Sequence, residues 1–199
     1  TLVADQLAAL MVLVSAIVLL GVLVYSVGQG IRDGDEHQPV SIFYPTYLIL
    51  AAGVCNAFLA GDLFNLFVFF EIMLAASYGL ALHGSGEARI RAGLTYIAVN
   101  LTASLLFLIG VSLIYGVTGT LNMADLARRV PLLSDADRPL IHAAAVLLAG
   151  AFLIKSAMWP LCFWLPNAYS AASPPVAAVF SIMTKVGVYT VIRLGLLLF

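Results

Sequence analysis

Three ionisable residues, Glu71, Lys155 and Lys185, sit inside long apolar stretches of the sequence. A charge at the centre of a membrane helix costs roughly 2.5–3.5 kcal/mol on insertion scales, so it faces a bundle interior or a wet cavity and commonly marks an ion or proton path. Glu71 lies nine positions after Asp62, the polar residue that opens its stretch. At 1.5 Å per residue that is about 13 Å of helix, near the middle of a hydrocarbon core about 30 Å thick. In a medium of low dielectric, a proton arriving at one such group changes the field at the next, so an acid and two amines in one bundle can hand a proton along. Lysine suits this role because arginine keeps its charge. Both lysines of the chain occupy these deep positions, and every other basic residue is an arginine, mostly in polar connections. The competing reading is an ion pair that only ties helices together.

Other features gather around this set. Lys155 precedes Pro160 and Pro166, which lack the amides that would bond the carbonyls of Ser156 and Cys162. Carbonyls freed at membrane depth are tolerated where protein or a water-filled cavity meets them, and broken helices recur in transporters. A simple kink repaired by neighbours is the alternative. Tyr96, Asn100 and Ser104 fall at i, i+4 and i+8 and share a face, either as a hydrated path or as interhelical glue. Phe64, Phe67, Phe69 and Phe70 read as packing around Glu71, and Trp159 and Trp164 as candidate interface markers. His37 falls in a loop, and His83 and His142 lie near span ends.

The elements that position these residues follow from composition. The chain has 199 residues, 63% apolar and only 10% charged, with a net charge of -1. Its mean hydropathy is +1.08. A soluble domain carries about 25% charged residues, so this chain cannot cover its own surface with polar groups. A soluble globule, a disordered chain and a nucleic-acid binder are excluded. Cys55 and Cys162 show neither disulfide nor zinc spacing. With no Gly-rich phosphate loop and no metal-ligand cluster, no cofactor is expected.

The pattern predicts an all-α, multi-pass bundle of six spans. These are Leu7 to Val27, Pro39 to Gly61, Leu63 to Leu82, Ala92 to about Gly116, a fifth from Leu140 that breaks between Lys155 and Pro166, and a sixth opened by Ser173-Pro174-Pro175. Polar connections are expected at 28–38, 83–91 and 125–138, with an interfacial turn through Gly119. Asp62 is the expected N-cap of the third span. The chain starts at Thr1 and ends within an apolar run, so it reads as one membrane region from inside a longer polypeptide.

Three stretches carry a resemblance: Gly61-Asp-Leu-Phe-Asn-Leu-Phe-Val-Phe-Phe-Glu71; Lys155-Ser-Ala-Met-Trp-Pro-Leu-Cys-Phe-Trp-Leu-Pro166 with Ala168-Tyr-Ser; and Pro174-Pro-Val-Ala-Ala-Val-Phe with Thr184-Lys-Val-Gly-Val-Tyr189. Their wording, order and spacing resemble the proton-translocating antiporter-like family, nearest to the D subunits of Mrp-type cation/proton antiporters and related to membrane subunits of respiratory complex I. The resemblance implies about fourteen helices in two inverted five-helix repeats, with this chain as the third through eighth and residues 39–199 approximating the first repeat. It implies that Glu71 pairs with Lys155 and that Lys185 leads on to a central axis of charges. Complex I relatives commonly carry histidine where Tyr169 stands here. The function implied is a secondary transporter subunit, not an enzyme, in the bacterial plasma membrane. It would exchange Na+ or K+ for protons beside other membrane subunits. The alternatives are a proton-pumping subunit of an NADH-quinone oxidoreductase or membrane-bound hydrogenase, and a scaffold subunit with an idle charge network.

Overall fold

The computed structural model describes residues 1–29, 42–83 and 86–198. Its eight α-helices among these residues are α1 (Gln6–Gly28), α2 (Phe43–Leu59), α3 (Leu63–Leu82), α4 (Glu87–Thr118), α5 (Met123–Arg129), α6 (Arg138–Lys155), α7 (Leu165–Ala171) and α8 (Pro174–Leu198). A 3-10 turn, Val130–Leu132, follows α5. Five helices are long and apolar enough to cross a membrane, and α2 is a shorter apolar helix of 17 residues. That length still lies within the spanning range.

Local chemistry sets the helix ends. Asp5 caps α1 by accepting the Ala8 amide at 2.7 Å. Asp62 caps α3 by accepting from Phe64 at 2.9 Å and Asn65 at 3.1 Å, as the sequence predicts. The short α2–α3 connection is clasped from both sides by backbone bonds. Val3 donates to the Leu59 carbonyl and Gly61 to that of Thr1; Leu63 and Met123 tie the same link to Leu121 and to Gly61. Paired backbone of this kind is what a helix end needs at the edge of a lipid layer.

Three expectations need correction. The polar stretch 83–91 is not wholly a loop, because α4 starts at Glu87, whose acid stabilises a helix N-terminus. The charged stretch 125–138 holds α5, capped by the Asn122 side chain and braced by an Asp125–Arg129 ion pair of 2.9 Å. Arg129 also donates to the Thr118 carbonyl at 3.0 Å, fastening α5 to the end of α4. The second span ends earlier, at Leu59, and its expected start at residues 39–41 lies outside the described residues, as do His37 and most of the 28–38 connection. The fifth span breaks where expected, with α6 ending at Lys155 ahead of both prolines and α7 starting at Leu165.

Packing draws the inner helices together. Gly53 faces the Met73 backbone, where an added Cβ would lie 2.9 Å from the amide nitrogen, so α2 and α3 approach closely only with glycine there. The Tyr47 hydroxyl donates to the Leu19 carbonyl and ties α2 to α1. Leu10, Leu13, Ile17, Leu20 and Val24 of α1 point outward, the side a bilayer would solvate.

Candidate functional site

The site is built where α3, α4 and α6 meet. Glu71 is half-buried on α3 and accepts a hydrogen bond from the Ser104 hydroxyl of α4. Lys155 of α6 is buried and donates from Nζ to the same hydroxyl at 3.0 Å. One hydroxyl thus stands between the carboxylate and the ammonium, using an acceptor lone pair for one and its proton for the other. Lys155 is also the last residue of α6, where the negative end of the helix dipole favours a cation. Its Nζ lies 5.2 Å from the centre of the Phe70 ring, a further cation-stabilising contact.

The break behind Lys155 starts at Ser156, and Ala157 adopts a left-handed φ of 51°. Most of the carbonyls it exposes find donors. Phe152 accepts from the Ser156 amide at 2.8 Å and its hydroxyl at 2.6 Å, while Leu153 accepts from the Met158 amide at 3.0 Å. Ile154 accepts from the Ala157 amide at 3.0 Å and the Trp164 indole at 3.2 Å. Trp164 is therefore a buried support of the break and not an interface marker, whereas Trp159 is exposed. Pro160 and Pro166 lie on the exposed side, Pro166 in the first turn of α7. The Cys162 carbonyl, expected to be left free, accepts from the Leu165 amide at 3.0 Å. Gly187 of α8 lets the break pack close, since a Cβ there would lie 2.9 Å from the Ser156 amide nitrogen.

Aromatic rings flank the site on two sides. Phe67 and Phe70 pack with Phe107 and Phe152, the last two with centroids 4.8 Å apart. Phe64, by contrast, is exposed. On the other side Tyr96 packs against Tyr78, Trp164 and Phe180. Tyr96 is buried and its hydroxyl is 2.7 Å from that of Ser77. Asn100 is buried and donates to the Tyr96 carbonyl at 2.9 Å. A narrow cavity of about 10 Å³ adjoins Lys155, lined in part by Asn100, Tyr169 and Thr184. Lys185 does not join Glu71 and Lys155. It lies on the exposed side of α8 and donates to the Thr184 hydroxyl at 3.3 Å. Asp62 acts as a cap away from this cluster. His142 is exposed. Thr184 stood in the sequence only as part of the Thr184-Lys-Val-Gly-Val-Tyr189 stretch and was not singled out for a role.

Residues 60–199 match the family described as NADH:quinone oxidoreductase/Mrp antiporter, TM. The chain belongs to this family. The D subunit of a probable K+/H+ antiporter of Rhizobium meliloti is 56% identical over 198 residues, covering 100% of this chain and 36% of that protein. The D subunit of a Na+/H+ antiporter of Alkalihalophilus pseudofirmus is 43% identical over 199 residues, covering 100% of this chain and 39% of the relative. The solved Mrp complex of Dietzia sp. superimposes with a TM-score of 0.85 at 38% identity, covering 100% of this chain and 36% of the matched one. The chain thus spans 36–39% of the length of those curated relatives. It is a multi-span protein of the bacterial plasma membrane.

Proposed function

We propose that this chain is part of a membrane subunit that exchanges Na+ or K+ for protons, working beside other membrane subunits as a secondary transporter. The observation that carries the reading is the meeting of Glu71 and Lys155 on the Ser104 hydroxyl. The names and likeness of the two antiporter relatives and of the Mrp complex support it. When Lys155 is an ammonium and Glu71 a carboxylate, Ser104 takes a proton at Oγ from Nζ as its own moves to Glu71. Lysine is left as an amine, glutamate as an acid and serine unchanged. The reverse step restores the charges. A hydroxyl needs only to rotate to serve either direction. Lys185, on the outer side of α8, is the next station, toward parts of the subunit beyond this chain. Residues 39–199 act as one five-helix repeat in this scheme.

The test uses the full-length subunit in its complete complex, in energised everted membrane vesicles. Adding Na+ or K+ to wild type collapses the pH gradient followed by a quenched dye, and Glu71→Gln abolishes that response with normal assembly. A Glu71→Gln complex that exchanges cations at the wild-type rate refutes the proton role. The family description also joins this chain to quinone oxidoreductases. Acidification driven by NADH or hydrogen, lost in Glu71→Gln and indifferent to added cation, favours that second reading.

A further inference from the structure

The proton path reading leaves a gap between Lys155, which faces inward, and Lys185, which does not. Thr184 is placed to fill it. Its side chain is buried and lines the cavity beside Lys155, while its hydroxyl accepts from Lys185 Nζ at 3.3 Å. The same hydroxyl donates to the Ser181 carbonyl at 3.0 Å. A helical threonine is commonly satisfied by a carbonyl of the preceding turn alone. Here the oxygen also accepts from Lys185, so its donor and one acceptor position are engaged, with Lys185 on the outer side of the same helix. Tyr169 lines the same cavity and packs on Phe180, with centroids 6.0 Å apart, so its ring is held in place.

We infer that the Thr184 hydroxyl, with Tyr169 beside it, is the link through which a proton passes between the Lys155 cavity and Lys185. This inference rests on the proton path proposed above and adds a residue to it. The cavity of about 10 Å³ has room for about one water molecule. A water there takes the proton from the Lys155 ammonium and hands one of its own to the Tyr169 oxygen. Tyr169 releases its original proton to Thr184 Oγ1. Thr184 turns from the Ser181 carbonyl and gives its proton to the Lys185 amine. Each hydroxyl and the water end with their original number of protons, Lys155 is neutral and Lys185 is charged.

Thr184→Val keeps the shape and removes the hydroxyl, and Thr184→Ser keeps the hydroxyl and removes the methyl group. Both are measured in the full-length subunit within the complete complex, as cation-dependent proton exchange per subunit in everted vesicles, beside Glu71→Gln. Loss of one hydrogen-bonded relay group is expected to slow Thr184→Val by about tenfold or more, with Thr184→Ser within about twofold of wild type and Tyr169→Phe slowed like the valine variant. Thr184→Ala gives the same chemical loss with a smaller side chain should valine prevent assembly. Wild-type exchange in the valine or alanine variant overturns the inference, and so does a serine variant as slow as the valine one, because the methyl group and not the hydroxyl would then matter. If Glu71→Gln is inactive while Thr184→Val is normal, only the Thr184 link fails. If Glu71→Gln is itself active, the parent reading fails.

Discussion

Two charge pairs in this molecule are built differently. Asp5 and Arg193 meet directly, with the guanidinium nitrogen 2.6 Å from the carboxylate. Arg193 also donates to the Tyr189 hydroxyl at 2.7 Å, which donates to the Phe58 carbonyl at 2.8 Å. That chain fastens α8 to the start of α1 and to the end of α2, and arginine cannot surrender its proton within it. Glu71 and Lys155 instead meet through a hydroxyl, and the cation is one that can become neutral. The first arrangement suits a clamp. The second suits a charge that moves, because every member can accept one proton as it gives one up. Buried charge alone does not separate the two; the cation type and the interposed hydroxyl do.

Lys155→Ala should break the contrast most. It removes the amine that exchanges with Glu71, and exchange per subunit in everted vesicles should fall by about a hundredfold. The subunit should still reach the membrane, since a carboxyl group left without its cation can be neutral. Ser104→Ala should come next, slowing exchange by about tenfold, with Ser104→Thr close to wild type because the hydroxyl survives. Gly187→Val should then lower stability by about 1–3 kcal/mol, as the added side chain meets the Ser156 backbone and pushes α8 from the break. Thermal unfolding of the purified complex in detergent measures it.

Asp5→Asn should have the smallest effect. The Asp5 side chain is 46% exposed, so after solvent screening its pair with Arg193 is worth about 0.5 kcal/mol. Exchange should stay within about twofold of wild type. Burial pushes the Asp5 carboxyl up, but its bonds to the Ala8 amide and Arg193 outweigh this and hold it below its ordinary value. A depressed carboxyl stabilises the fold above its unfolded pKa, and that contribution is lost as pH falls through the folded value. The difference in melting temperature between wild type and Asp5→Asn should therefore shrink on acidification below the ordinary carboxylate range.

Helices with strong punctuation were legible in the sequence. Asp62 and the polar residues after Leu82 mark α3, whose ends match the expected ones, and Pro174 marks the start of α8. The break after Lys155 was legible through Pro160 and Pro166, but its form was not, because Ser156 and Ala157 carry no stop signal and the turn rests on a left-handed alanine beside Gly187 of α8 and the Trp164 indole. α5 was hidden because its seven residues carry the charges of a loop. At the site, Glu71 and Lys155 stood out by the cost of burying charge. Ser104 was visible only as part of a polar face, since a hydroxyl gains its meaning from two partners 33 and 51 residues away. The outward position of Lys185 needed the rotation of α8, which packing fixes and local pattern does not.

The most direct measurement exchanges the two cation types. Lys155→Arg and Arg193→Lys are introduced separately into the full-length subunit of the complete complex, and cation-dependent proton exchange is measured in the same vesicle preparation. Charge is preserved in both. The proton path account predicts that Lys155→Arg loses exchange, because its cation cannot release a proton, while Arg193→Lys retains it. Exchange that survives Lys155→Arg, or that fails in Arg193→Lys with the complex assembled, contradicts it.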